Sequence, residues 1–265
     1  MLGKTLFIGA GSMGGALLRG AFLEKTLLPE NIRVTVKTED HAYALLDELG
    51  VHASVHLPDL TEIETIILAV KPQILPEVLT QIKDIKPGTV VISLAAGVTL
   101  ETLSNALPQA ILFRAMPNTP AAIGAGMTAL TVNNEAGKPY LNTVAALFKA
   151  IGEVVIVNEV DLDRLGALSG AGPGYMFVIL DALANAGVRI GLPRDLAIKA
   201  AAQTMYGAGK MAVETGKHPA ILRDQVTSPG GTTIAGISAM EKGGLRSALQ
   251  EGVVACLERS NELGK

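Results

Sequence analysis

The chain changes rhythm once. In its first part, short apolar runs rich in Val, Ile and Leu alternate with stretches in which apolar residues return at helical spacing. The runs at 4–9, 32–36, 65–70, 89–94, 110–114, 126–132 and 154–157 predict strands, and segments 13–23, 41–49, 72–82 and 138–150 predict helices between them. Strands separated by helices predict βαβ units and a mostly parallel sheet, because a parallel partner needs a crossover. Past Asn158 the strand signals stop. Helical periodicity runs on through 162–168, 173–186, 193–214, 219–226, 232–242 and 245–263. Pro173, Pro193 and Pro219 stand where first turns begin, and Gly191 and Gly243 where helices end. The expected fold class is α/β: a doubly wound N-terminal sheet at 1–158, then an all-helical domain at 159–265.

Gly9-Ala10-Gly11-Ser12-Met13-Gly14 follows the first predicted strand and opens a helix. In such a G-x-G-x-x-G loop the first glycine allows a tight turn. The second lets backbone approach a pyrophosphate, and the third lets helix and strand pack closely. The helix N-terminus then offers free N–H groups and a favourable dipole to the anion. An ordinary Gly-rich turn is the competing reading, and the βαβ context makes it the weaker one. A Rossmann-type module is expected, with Gly9, Gly11, Ser12, Met13 and Gly14 at the cofactor. Selection between cofactors falls at the end of the second strand, where an acid favours NAD and a cation a 2′-phosphate. With that strand ending at Val36, Lys37 and Thr38 occupy the tip and favour NADPH over NADH; Glu39 and Asp40 follow, so a slip of one or two residues reverses the inference. Ala69-Val70-Lys71-Pro72-Gln73 ends a strand and is expected to start a helix at Pro72. Strand C-termini face the ligand crevice, so Ala69, Lys71 and Pro72 join the cofactor candidates.

In the helical half, Asp224-Gln225-Val226-Thr227-Ser228-Pro229-Gly230-Gly231-Thr232-Thr233 joins two predicted helices. Pro-Gly-Gly followed by two hydroxyl residues exposes backbone N–H groups at a helix N-terminus, which suits a carboxylate. A plain turn capped by Thr232 or Thr233 is the competing reading, but a cap needs only one hydroxyl. Gly230, Gly231, Thr232 and Thr233 are therefore candidate substrate contacts, with Thr233 and Ser228 the candidate catalytic residues. Asn118, in Arg114-Ala115-Met116-Pro117-Asn118-Thr119-Pro120, is a further substrate candidate, against the simpler view that two prolines stiffen a loop.

Composition narrows the field. The 265 residues carry a net charge of −3, no basic stripe, five Phe, four Tyr and no Trp, which argues against nucleic acid. Cys256 is the one cysteine and has no internal disulfide partner; the expectation is a reducing, cytoplasmic setting and a packing role. The uncharged stretch 5–18 reads as the glycine loop rather than a signal. Stretch 165–180, interrupted by Gly170, Gly172, Pro173 and Gly174, falls short of the roughly 20 residues of a membrane span. His52 and His56 read as a strand and its following loop, and His41 and His218 as surface positions, so no metal is expected. The long apolar pattern 192–213 exceeds what a small domain can cover, which points to a homodimer through 162–265.

The glycine loop, segments 69–73 and 114–120, the turn Ser169-Gly170-Ala171-Gly172-Pro173-Gly174-Tyr175 and above all the block 224–233 resemble the pyrroline-5-carboxylate reductases over essentially the whole chain. The resemblance implies reduction of 1-pyrroline-5-carboxylate to L-proline by NADPH or NADH, the last step of proline biosynthesis. It also implies a helical domain that mediates dimers, often stacked into larger rings. Two features depart from the family pattern: Ala171 and Gly174 in the turn, and Leu57-Pro58 where many members carry an Asn. A dehydrogenase of 3-hydroxyacid type is the enzyme alternative, but 169–180 lacks the lysine it would need as base. A dinucleotide-sensing paralogue is the non-catalytic alternative, and the intact 228–233 loop argues against it.

Overall fold

The computed structural model describes residues 2–263. They form two compact units: residues up to Gly172 together with those from Cys256 onward, and Pro173–Ala255.

The first unit is built on a sheet of eight strands: β1 (Thr5–Ile8), β2 (Ile32–Thr35), β3 (His52–Ser54), β4 (Thr65–Leu68), β5 (Val90–Ser93), β6 (Ile111–Met116), β7 (Gly126–Val132) and β8 (Gly152–Ile156). Their order is β3-β2-β1-β4-β5-β6-β7-β8, parallel throughout except for the β6–β7 pair. The crossovers carry α1 (Ser12–Leu23), α2 (Glu39–Leu49), α3 (Leu75–Gln81), α4 (Leu100–Ala106) and α5 (Leu141–Lys149). One apolar core forms around Phe7, Leu17, Val34, Phe113 and Phe148, the other around Leu6, Ile66, Leu79, Leu103 and Leu112. Neighbouring residues Leu6 and Phe7 enter opposite cores, so the sheet is covered on both faces. Strands such as β1, β4 and β5 are buried at every position, which is why they read as continuous apolar runs.

Helix α4 lies outside the segments expected from periodicity, and so does β3, although β3 is the strand expected at His52, with His56 in the loop after it. β3 has three residues and α4 seven, too few for either period to declare itself. Helix α3 starts at Leu75, not at Pro72. Residues 71–74 form a turn closed by Ile74 N–H donating to Lys71 O at 3.0 Å, and Pro76 takes the early helical position that needs no donor.

The helical part opens with α6 (Glu159–Leu165), a π-helical turn (Gly166–Gly170) and α7 (Gly172–Arg189). The glycines and proline at 170–174 do not break this run as expected. The wider π turn absorbs Gly166 to Gly170, and Pro173 stands in the first turn of α7, where its missing N–H costs nothing. The run Glu159–Arg189 has the length and apolarity of a membrane span, with 11% of its most apolar window buried. Helix α6 belongs to the sheet unit although it opens the helical half, because Glu159 and Asp163 pair with Arg114 of β6.

In the second unit follow α8 (Arg194–Thr215), α9 (Pro219–Gln225), α10 (Thr232–Lys242) and the first part of α11 (Leu245–Leu263). Self-burial is sparse: Ala197 and Ala201 are the buried residues of α8, and α10 has none. Phe177 (64%), Val178 (71%) and Val213 (79%) stand exposed, an apolar surface that needs covering. Cys256 is half-buried and borders a cavity rather than lying fully in the core.

Candidate active site

The strand order reverses at β1: β2 and β3 lie to one side, β4, β5 and β6 to the other. Ligands of such sheets bind outside the strand C-termini at that switch point. Residues 8 and 68 are paired there, so the loops that leave β1 and β4 start side by side. Gly9 has φ +95°, and its N–H donates to Thr35 O at 2.8 Å, anchoring the turn between β1 and β2. Helix α1 begins at Ser12 with Gly11 as N-cap and no side-chain cap, so its first N–H groups point out of the helix unclaimed by a capping side chain. A Cβ on Gly14 would collide with Gly9 O and Ala69 Cβ, the close approach of helix and strands that the third glycine permits. A Cβ on Gly11 would meet nothing within 4 Å. The open side of the turn is thus the place where a pyrophosphate can approach backbone, and the residues fit a dinucleotide.

Ser12 is exposed, Met13 half-buried, and Ala69 and Pro72 half-buried beside exposed Lys71. β2 ends at Thr35, and Val36 N–H still donates to Ser54 O at 3.0 Å. Lys37 and Thr38 are therefore the exposed tip, while Glu39 and Asp40 already form the first turn of α2. Thr38 is the N-cap of α2: its Oγ1 accepts from His41 N–H at 3.4 Å, which leaves its O–H free to donate. Behind the loop, Arg19 of α1 and Glu48 of α2 form a bidentate pair at 2.6 and 2.7 Å. The Arg19 hydrogen bond holds the Glu48 carboxyl below its ordinary range.

In the second unit the 227–233 loop is organised without using its hydroxyls as helix caps. Gly231 is the N-cap of α10 and no side chain caps it, so neither Thr232 nor Thr233 plays the capping part of the competing reading. Gly230 has φ +69°, and Gly231 N–H donates to Ser228 O at 3.0 Å, closing the turn. Thr227 Oγ1 donates to Arg223 O at 2.6 Å. Ser228, Thr232 and Thr233 are exposed, and α10 presents its N-terminal N–H groups beside them. The loop thus carries uncapped backbone N–H donors flanked by exposed hydroxyls, the donor set that suits an anion.

Asn118 is buried at the end of β6. Its Oδ1 accepts from Met127 N–H and its Nδ2 donates to Ser169 O, each at 2.9 Å, so its carboxamide ties β6, β7 and the π turn together. Periodicity missed the Arg114 cluster. Arg114, 1% exposed in the strand Ile-Leu-Phe-Arg-Ala-Met, meets Glu159 at 2.6 Å and Asp163 at 2.7 Å. An arginine inside an apolar strand, with two acids four apart on a later helix, was the available signal. Among the described residues no cluster of His, Cys, Asp and Glu is arranged to hold a metal.

A glycine-loop crossover at the switch point of a doubly wound sheet, followed in the chain by a helical domain, is the architecture of a dinucleotide-dependent oxidoreductase. Residues 4–97 match the family model described as NADP oxidoreductase, coenzyme F420-dependent, and residues 159–263 match that of pyrroline-5-carboxylate reductase dimerisation. The chain is 44% identical to the pyrroline-5-carboxylate reductase of Synechocystis over 97% of both proteins. It is 40% identical to that of Escherichia coli over 99% of this chain and 98% of the relative. Among solved structures it is similar to the Coxiella burnetii pyrroline-5-carboxylate reductase, with TM-score 0.92 and 35% identity over the full length of both chains. It is also similar to the Plasmodium falciparum enzyme with NADP bound, with TM-score 0.88 and 27% identity over 99% of this chain and 98% of that one. The chain belongs to the pyrroline-5-carboxylate reductase family. Its 159–263 segment matches the family's dimerisation domain, which points to a homo-oligomer.

Proposed function

We infer that this protein is a pyrroline-5-carboxylate reductase, which reduces the C=N bond of 1-pyrroline-5-carboxylate with NAD(P)H to give L-proline in proline biosynthesis. The observation that carries the reading is full-length kinship combined with an intact, uncapped Pro-Gly-Gly cradle at 229–231. Bound NAD(P)H supplies the hydride. Gly9, Gly11, Ser12, Met13 and Gly14 hold the pyrophosphate through backbone N–H groups at the start of α1. Ala69, Lys71 and Pro72 line the same crevice from the end of β4. Lys37 and the Thr38 hydroxyl donate to a 2′-phosphate, which makes NADPH the preferred form.

The substrate is a small carboxylate with an imine nitrogen. Its carboxylate rests on the N–H groups around Gly230, Gly231 and Thr232. A protonated imine is the better hydride acceptor, and the substrate brings that proton from water, so no strong acid is required of the protein. The 227–233 loop holds no group that titrates near neutral pH, which suits a site that works by orientation. Thr233 Oγ1 accepts from the ring N–H, with Ser228 beside it as the second hydroxyl. Asn118 serves the substrate side through the turn it holds, with one Nδ2 hydrogen and one Oδ1 lone pair left over. The 159–265 region forms the dimer, dimers stack into a ring, and the protein works in the cytoplasm.

The test is direct. Purified protein is given NADPH or NADH with and without pyrroline-5-carboxylate, and proline formation is measured. Substrate-dependent oxidation with proline produced is the expected result. Oxidation of a 3-hydroxyacid without imine reduction would sink the reading.

A further inference from the structure

Strands β5 and β6 end on the side of the switch point opposite β2 and β3, the half of the sheet that serves the nicotinamide end of a dinucleotide. Two segments leave them there, 94–99 before α4 and 117–119 after β6. Both are tied to one carboxylate. Glu159 Oε1 accepts from Leu100 N–H, the first N–H of α4, at 2.6 Å, and from Arg114 Nη1 of β6, also at 2.6 Å. The other arm of the guanidinium donates to Asp163 at 2.7 Å, one turn along α6. Asp163, Ala96, Met116 and Pro117 all line a largely apolar cavity of about 410 Å³. The wall of that cavity is therefore held by the ion cluster behind it, with Glu159 at the point where α4, β6 and α6 meet.

We propose that Glu159 is a positioning residue for hydride transfer, acting through Leu100 N–H and Arg114 to fix the 94–99 and 117–119 segments at the nicotinamide end of the crevice. Glu159 itself touches neither cofactor nor substrate. A charged acceptor suits the task, since a hydrogen bond to an ionised group is shorter and stiffer than a neutral one. An α4 N-terminus released from its carboxylate would leave Ala96 and Gly97 free to shift. Displacements of about 1 Å in a reacting geometry cost up to roughly a hundredfold in rate. The proposal rests on the reductase reading above.

The experiment compares wild type, Glu159→Ala and Glu159→Gln. Calorimetry with 2′-phospho-ADP-ribose, which lacks the nicotinamide, reads the β1–β2 half alone. Steady-state kinetics give kcat and KM for the imine, and 4-deuterated NADPH gives the isotope effect on kcat. The expected result is 2′-phospho-ADP-ribose affinity within about twofold of wild type, with kcat of Glu159→Ala lowered about tenfold to a hundredfold. Glu159→Gln, which keeps an oxygen for Leu100 N–H, loses less. The isotope effect rises in both, because poorer alignment makes hydride transfer limit turnover. Unchanged kcat, or a kcat loss matched by an equal loss of 2′-phospho-ADP-ribose affinity, overturns the proposal. Should Glu159→Ala not fold, Glu159→Gln decides on the same readouts. A wild type that binds 2′-phospho-ADP-ribose but reduces no imine sinks the functional reading and this proposal with it. An active wild type with indifferent variants sinks this proposal alone.

Discussion

Arg114 Nη2 on β6 lies 2.7 Å from Asp163 Oδ1 on α6, so a guanidinium inside the sheet is neutralised by a helix that opens the chain's second half. The arginine side chain is 2% exposed, while Glu159 and Asp163 are 31% and 27% exposed. Desolvation falls on the arginine, and the carboxylates still reach water. Removing one partner of a buried pair costs up to about 5 kcal/mol, and the exposure of the two acids reduces that. Arg114→Met should therefore destabilise the first unit by about 2–3 kcal/mol, read from urea unfolding at fixed protein concentration. A neutral result would mean that α6 is held by its apolar contacts alone.

The glycine loop separates folding from binding. A Gly14→Ala methyl would collide with Gly9 O and Ala69 Cβ, so this variant should lose both thermal stability and NAD(P)H affinity. Gly11→Ala meets nothing within 4 Å and should melt with wild type, yet bind NAD(P)H at least about tenfold more weakly. Calorimetry and thermal melts on both variants check this; wild-type affinity in Gly11→Ala would move the pyrophosphate elsewhere.

Lys37 stands one residue past the last β2–β3 backbone bond, at the tip that selects the adenosine ribose. A charge-assisted contact contributes roughly 1.5–3 kcal/mol. Lys37→Glu should accordingly lower the ratio of kcat/KM for NADPH over NADH at least about tenfold. A wild type faster with NADH would show that the acids at the start of α2 govern the choice.

The 228–233 loop should separate orientation from cofactor binding. A hydrogen bond to a charged group contributes roughly 1.5–3 kcal/mol, so Thr233→Ala should lower kcat/KM for the protonated imine by at least about tenfold and leave NADPH affinity unchanged. Gly231→Val should do more damage, because a Cβ there collides with Ser228 Oγ and deforms the turn. If Thr233→Ala behaves as wild type, Ser228 becomes the hydroxyl to test.

Assembly should respond to the bare face of α7. Val178 and Phe177, 71% and 64% exposed in one chain, should be covered in the dimer. Light scattering should find wild type as a dimer or larger at micromolar concentration, and Val178→Glu should shift it towards monomer. A folded wild-type monomer at that concentration would refute an obligate dimer.

The amino-acid sequence by itself determined the α/β order, the glycine loop, the tip at Lys37 and the Pro-Gly-Gly turn. Each is local: glycine at a positive φ or a close approach, proline at a helix start, and apolar runs buried on both sheet faces need no distant partner to be legible. Helix starts at prolines were less secure. Pro173 stands in a first turn as expected, whereas Pro72 does not, because the turn 71–74 has its own hydrogen bond. Only the tertiary structure decided what Arg114, Glu159, Asn118 and Cys256 do. Arg114 and Glu159 are 45 residues apart, and their pairing depends on the sheet bringing β6 beneath α6. Asn118 acquires its backbone partners at Met127 and Ser169 in the same way, and Cys256 its place beside a cavity. Periodicity reports which face of an element is apolar, but the partner of a buried charge or amide is set by the three-dimensional path of the chain.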